Sequence, residues 1–385
     1  MKHIVFATGS RADYGIMRRF LRLVDDDKEM RLSILATGAL LDDRFGYQVE
    51  LIYQDGFHVD GEIKIPINTA SDLGVIHAMA VAQDQFAEYF SGNVVDLLLI
   101  LGDRYEMLSV AVAAAMQRVP ILHIHGGEAT FGNYDEFIRH AITKMSIYHF
   151  TTTDEYRNRV IQLGEAPERV FCLGALGAEN CMYIEEGNVP DIIKALSGKK
   201  YFVILFHPET LTNVDTLAQV QELLTAIEAI QEYSFVFIGS NADTHSDVIR
   251  EYVERFVEEN QNAVYFENLH TDAYHYLLKN AICLLGNSSS GIIEAPSLGI
   301  YTINIGDRQK GRVRGNSIID VRCNALEISA AMRKVLEIYR TVKPENPYYK
   351  GNSARLYYET LKKLVDRLEH DTREPKNFFD LAEGQ

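Results

Sequence analysis

Residues 123–140 read HIHGGEATFGNYDEFIRH and hold three histidines, three carboxylates and an arginine. They directly follow the apolar run Val119–Leu122. Ionisable groups at the end of a buried strand are costly unless they are used or paired. Two chemistries fit them. His123 and His125 stand two apart, so on a strand they share a face, and with Glu128 or Asp135 they make a metal-ligand set. On a glycine-hinged loop the same groups make an acid/base set. The metal helix motif HExxH is missing and no second His/Asp cluster has ligand spacing. The acid/base reading is the stronger, and no metal ligand is assigned.

Other groups fall into the same kind of position. Asp103 in GDRYE stands at the mouth of the apolar strand VVDLLLIL, as a base or ligand, or as a cap for the next helix. His207 ends the strand of FHPET, next to Pro208. GNSSSGIIE, residues 286–294, offers small residues, a helix start and the hydroxyls of Ser288, Ser289 and Ser290. That suits a phosphate, or a plain serine cap. It is not a P-loop, since GxxxxGK[ST] is absent. Glu294 is a candidate acceptor for ribose hydroxyls, or a solvated helix residue. Arg11 in GSRADYG can fork onto a diphosphate or pair with Asp13. That turn has too few glycines for GxGxxG, which weighs against a nicotinamide cofactor. Arg308, Lys310, Arg312 and Arg314 form a local positive patch for an anion, or a solvated basic loop.

The elements that position these groups repeat one pattern: continuous apolar strand, polar turn, helix. HIVFATGS, RLSILATG, VVDLLLILGDR, VPILHIHGG and SIYHFTTT read this way. The pattern restarts after Gly177 with KYFVILFHPET, SFVFIGSNADT, NAVYFEN, AICLLGNSSSG and IYTINIGDR. Such strands alternating with helices indicate parallel sheets covered on both faces. We therefore expect an α/β protein of two Rossmann-like, doubly wound domains, residues 1–178 and 179–352. The terminal helix, about 353–385, is a candidate to return to the first domain. Ligands of such sheets bind beyond the carboxyl ends of the strands, and nearly every polar cluster above sits there.

Composition bounds the function. The 385 residues are too many for one ordinary core. A net charge of −16 argues against a nucleic-acid surface, while leaving room for a small anion in a local basic pocket. The longest hydrophobic region is broken by Asp, Arg and Glu, so no membrane span is expected. The start reads as a buried strand rather than a signal peptide. Four cysteines without CxxC spacing suit a reduced, cytoplasmic protein.

The motifs GSRADYGIMRR, LGDRYE, HIHGGEATFGNYDEFIRHAITKMS, FHPETL, IGSNADT, GNSSSGIIEAPSLG and TINIGDRQKGRVRG, in this order, resemble the hydrolysing UDP-N-acetylglucosamine 2-epimerases. The resemblance is to the bacterial branch that supplies N-acetylmannosamine for sialic acid capsules. It implies a GT-B-like pair of domains with an interdomain active-site cleft. The implied reaction takes UDP-N-acetylglucosamine and water to UDP and N-acetylmannosamine, without cofactor. By resemblance, Asp103, Asp135 and His207 match catalytic positions. Arg11, Arg104, Ser288, Ser289, Glu294 and Arg308 match UDP-binding positions, and a homodimer or homotetramer is implied. Where relatives carry a catalytic Glu, this chain has His125, with Glu128 as the nearest Glu. A subfamily with a similar HIHGGE segment acts on UDP-N,N′-diacetylbacillosamine. A glycosyltransferase of the same architecture and a non-catalytic nucleotide-sugar sensor are the readings from other classes.

Overall fold

The computed structural model describes residues 1–67, 71–131, 134–208, 215–239, 246–339, 343–373 and 375–381. The motif IGSNADT from residue 240 onward and FHPETL from residue 209 onward lie outside them. The chain forms two compact units. Unit 1 comprises Met1–Glu128, Asp135–Leu176 and Lys350–Gln385; unit 2 comprises Ala129–Tyr134 and Gly177–Tyr349. The chain thus passes between units at 176/177 and 349/350. The short segment 129–134, inside the stretch that sequence reading treats as one loop, groups with unit 2.

Along the chain, unit 1 begins β1 (Lys2–Thr8), α1 (Arg11–Asp25), β2 (Met30–Thr37), α2 (Glu50–Gln54) and β3 (Val59–Ile63). It continues α3 (Asp72–Gly92), β4 (Leu97–Leu101), α4 (Tyr105–Met116), β5 (Ile121–Ile124) and α5 (Asp135–Met145). Then come β6 (Tyr148–Thr151), α6 (Asp154–Gln162), β7 (Val170–Cys172) and, at the crossing, α7 (Leu176–Asn180). Unit 2 holds α8 (Asp191–Lys194), β8 (Tyr201–Leu205), α9 (Thr216–Glu228), β9 (Ser234–Ile238), α10 (Ser246–Glu259) and β10 (Ala263–Phe266). It ends with α11 (Thr271–Lys279), β11 (Cys283–Gly286), α12 (Ser290–Ile293), β12 (Tyr301–Ile305), β13 (Ile318–Val321) and α13 (Ala325–Ile338). The last helix, α14 (Ser353–Asp371), belongs to unit 1.

Among the described residues the strands form two parallel sheets. Unit 1 has seven strands in the order β3-β2-β1-β4-β5-β6-β7, and unit 2 has six in the order β10-β9-β8-β11-β12-β13. The central strands are buried end to end, as LLLIL of β4 and YFVIL of β8 show. Only an apolar run can be covered by helices on both faces, which is why the sequence pattern is continuous rather than alternating. In each sheet the strand order reverses at one place: between β1 and β4 in unit 1, and between β8 and β11 in unit 2. Loops at such a reversal diverge to opposite faces, the place where doubly wound sheets bind ligands.

α14 packs against α1. Its buried face, Tyr357, Leu361, Leu364, Val365 and Leu368, follows helical spacing. Each such side chain contributes about 1.5–3 kcal/mol on burial. The Tyr357 ring meets Phe20 and Phe150 edge-on at 5.6 and 4.9 Å. The polar tail beyond also docks. Lys376 Nζ donates to Ser146 O at 2.7 Å and Lys144 O at 2.9 Å, at the carboxyl end of α5. Phe379 N donates to Gly164 O at 2.9 Å, and the Phe379 ring packs on Val160, Ile161 and Val170.

Candidate active site

In unit 1 the predicted residues gather around the β1/β4 switch and the end of β5. Arg11 opens α1, which Ser10 caps: Ser10 Oγ accepts from Asp13 N at 3.2 Å and donates to Asp13 Oδ2 at 2.7 Å. Asp103 and Arg104 follow β4. The N-cap of α4 is Arg104, without a side-chain bond, and Asp103 Oδ2 accepts from Arg139 Nε at 2.7 Å. Arg104 Nε donates to the buried Glu106 at 2.6 Å. Glu106 Oε1 lies so close to Gly9 that a Cβ there would come within 2.3 Å of it. Burial pushes the Asp13 carboxyl up to about 6, with Arg104 pulling it down and Glu106 and Asp103 pushing it further up. The switch point thus holds several carboxylates beside Arg104 and Arg139, an arrangement in which proton sharing is expected.

The strand histidines separate in role. His123 is fully buried in β5, with Nε2 2.8 Å from Gly102 O and Nδ1 3.0 Å from Thr143 Oγ1. Burial pushes its imidazole down to about 3. Both ring nitrogens are occupied, so His123 secures the turn carrying Asp103. The shared face expected of His123 and His125 fails because β5 ends at Ile124 and His125 turns into the left-handed region, φ +66°. A non-glycine residue held there stores strain, a feature concentrated at functional sites. His125 N donates to Phe150 O at 2.8 Å, and its Nδ1 lies 3.9 Å from Glu128 Oε1. Glu128, 2% exposed, accepts from Thr152 Oγ1 at 3.3 Å. Among the described residues no group of three or more His, Cys, Asp or Glu is placed to hold a metal ion.

Asp135 begins α5, with Glu136 beside it. One turn on is Arg139, which sequence reading passed over. It has no exposed surface, and it joins Asp103 to Glu136 Oε2 at 2.8 Å and to Glu128 O at 2.8 Å. A buried guanidinium is tolerated only with such partners. Its signal in the sequence was weak: an arginine at a position where Ile138 and Ile142 mark the buried face of α5.

In unit 2 the β8/β11 switch collects His207 and the serine loop. Asn287, also passed over, ties them: its Oδ1 accepts from His207 N at 2.7 Å and its Nδ2 donates to His207 O at 2.8 Å. Its own carbonyl accepts from Arg308 Nη1 at 3.2 Å and Gln309 Nε2 at 2.9 Å. Gly286 is obligatory before it, because at φ +146° a Cβ would fall 2.0 Å from Leu205 O. Ser289 occupies the N-cap of α12 without a side-chain cap bond, while Ser288 Oγ accepts from Ser290 N at 3.4 Å. α12 has only four residues. An anion there would depend on local N–H and hydroxyl donors rather than on a long helix dipole. Ser288 Oγ stands 3.3 Å from Ser290 Oγ. Glu294, 9% exposed, follows α12 and is hydrogen-bonded rather than solvated. In the basic loop, Arg314 Nη2 donates to Gln309 O at 3.1 Å and Arg314 pairs with Asp320. Arg314 therefore shapes the loop.

The predicted residues therefore fall into two sets. Arg11, Asp103, Arg104, His125, Glu128 and Asp135 lie in unit 1; His207, Ser288, Ser289, Ser290, Glu294 and Arg308 lie in unit 2. Comparison with known proteins gives one picture. The chain is 43% identical to polysialic acid biosynthesis protein P7 of Escherichia coli over 394 residues, spanning 100% of this chain and 98% of that protein. It is 36% identical to the GDP/UDP-N,N′-diacetylbacillosamine 2-epimerase (hydrolyzing) of Campylobacter jejuni, over 85% of this chain and 86% of that one. The fold matches the crystal structure of UDP-GlcNAc 2-epimerase from Neisseria meningitidis bound to UDP-GlcNAc. The TM-score is 0.79 at 17% identity, covering 94% of this chain and 100% of that one. The family model described as UDP-N-acetylglucosamine 2-epimerase matches residues 22–362, so the chain belongs to the UDP-N-acetylglucosamine 2-epimerase family.

Proposed function

We propose that this protein is a hydrolysing 2-epimerase that converts UDP-N-acetylglucosamine and water to UDP and N-acetylmannosamine, for sialic acid synthesis. The carrying observation is the set at the unit 1 switch, where Asp103, held by the buried Arg139, stands with a left-handed His125 beside Glu128. Inverting C2 of an acetamido sugar needs that C–H bond broken, and the carbon has no hydroxyl to oxidise. The C2 proton leaves to a base while the C1–O bond to UDP breaks, its electron pair going to the diphosphate. A C1=C2 glycal remains. Water then adds its oxygen to C1, and C2 takes a proton on the opposite face. Asp103, His125, Glu128, Asp135 and His207 share these proton transfers. Arg11, Arg104, Arg308 and the serine hydroxyls neutralise the departing diphosphate.

The names of the relatives favour one second reading, the diacetylbacillosamine analogue as substrate. NMR of products from both UDP-sugars, run without acceptor in heavy water, tests the proposal. Free N-acetylmannosamine carrying deuterium at C2 is expected. Product without deuterium at C2 overturns the elimination route, and turnover of the bacillosamine analogue alone transfers the activity to that substrate. Transfer to an added acceptor with no free sugar would instead make it a glycosyltransferase. Asp103→Asn and Asp135→Asn should each lower kcat by ~100-fold, and near-normal turnover removes that residue from the set. The reading includes a cytoplasmic homodimer or homotetramer; no helix among the described residues is long and apolar enough to cross a membrane.

A further inference from the structure

α11 reads as an ordinary amphipathic helix, yet two consecutive residues of it reach the serine loop. The Tyr274 hydroxyl lies 2.5 Å from Ser290 Oγ, and His275 Nε2 lies 3.2 Å from Glu294 Oε2. The two contacts grip α12 at its first residue and at the residue that ends it. His275 is 3% exposed. A carboxylate only accepts, so Nε2 is the ring nitrogen that carries the proton in this contact. The other carboxylate oxygen, Oε1, passes Gly177, where a Cβ would approach within 2.8 Å. Cys181 Sγ lies 3.6 Å from the Glu294 carbonyl and 3.5 Å from Ala178 O, with one thiol hydrogen between them. The carboxylate is therefore held at Oε2 by His275, while Gly177 leaves room for Oε1. A buried imidazole, in a helix whose buried residues are otherwise Asp272, Ala273, Leu277 and Leu278, costs desolvation that an apolar residue would avoid. What it supplies in return is a fixed direction for the Glu294 lone pairs. Fixed acceptors bind a ligand's hydroxyls without an ordering cost at the moment of binding.

We propose that His275 is a specificity-determining positioning residue. It aims the Glu294 carboxylate at the ribose diol of a nucleoside diphosphate, while Tyr274 orients the Ser290 hydroxyl. The proposal rests on the nucleotide reading above and deepens it. His275 touches neither the sugar nor the reacting carbons, so its effect belongs to nucleotide affinity and not to turnover at saturation.

Calorimetric titration of wild type, His275→Ala and His275→Gln with UDP and with 2′,3′-dideoxy-UDP tests this. Wild type should prefer UDP. In His275→Ala the Kd for UDP should rise about 10-fold, the scale of one lost charge-assisted hydrogen bond. The Kd for the dideoxy ligand and the kcat should stay within about twofold, since neither uses that bond. His275→Gln, whose amide can still donate, should recover part of the preference. In a Glu294→Ala background, His275→Ala should add nothing further. Equal weakening of both ligands overturns the proposal, as does a His275→Ala effect that persists without Glu294. If His275→Ala does not fold, the Gln and Asn variants make the same comparison. The shorter Asn should lose the preference that Gln keeps, and equal preference overturns the proposal. Failure of wild type to bind UDP at all would instead overturn the nucleotide reading itself.

Discussion

At the scale of single residues, His125 and Asp13 depart most from what their local sequence asks of them. His125 holds φ +66° at the end of β5, inside a buried turn. The left-handed conformation costs a residue with a Cβ about 1–2 kcal/mol. His125→Gly should therefore be more stable than His125→Ala by about 1–2 kcal/mol, in urea unfolding, while both lose turnover. The reverse order would mean the strain is not there. Asp13 is protonated more readily in the folded protein than in the unfolded chain, its carboxyl moving from 3.8 to about 6. The folded state then binds the extra proton in that window, so the stability it contributes is present below 3.8 and lost as pH rises through about 6. Asp13→Asn should flatten the fall in urea midpoint across that interval. An unchanged slope would assign the proton to another group.

Among the elements, α5 carries the heaviest load. Its first turn holds Asp135 and Glu136, and its middle sends Arg139 to Asp103. Its last carbonyls are met by Lys376 from the tail. Lys376 also pairs with Glu165 at 2.6 Å, and Lys144 and His149 meet the same carboxylate. Burial alone would raise the Glu165 carboxyl, but the bonds from His149, Lys144 and Lys376 outweigh it and hold it at about 2. Its stabilisation is present above 4.5 and lost as pH falls toward about 2. Lys376→Met should lower stability by about 1.5–3 kcal/mol at neutral pH. The deficit should shrink in urea titrations near pH 3; a deficit independent of pH would assign it to packing alone.

At the scale of the whole molecule, α3 presents two large apolar side chains to the surface. Leu73 and Ile76, one turn apart, are 60% and 58% exposed. The buried residues of α3, Gly74, Ala78, Ala82, Phe86 and Phe90, form one stripe, and Leu73 and Ile76 lie off it. A second copy of the chain is the occupant our functional reading expects. Light scattering should then give two or four times the chain mass, and Leu73→Glu with Ile76→Glu should lower it. A wild-type monomer would remove oligomerisation from the reading.

The same scale separates what was legible. Every central strand announced itself as a continuous apolar run, because burial on both faces demands one whatever the partner strands are. Edge strands β3, β7 and β13 were missed: they are short and only partly buried, with patterns such as VDGEI. One exposed side removes the need for an unbroken run. Which residue types gather at strand ends was also readable, since polar groups there have few bland uses. What required the tertiary structure was the partner of each group. Asn287 holds His207 across 80 residues, and His275 holds Glu294 from a different helix. Arg139 meets Asp103 across 36 residues. Such pairs are set by the strand order that brings distant loops to one switch point, and no local spacing encodes that order.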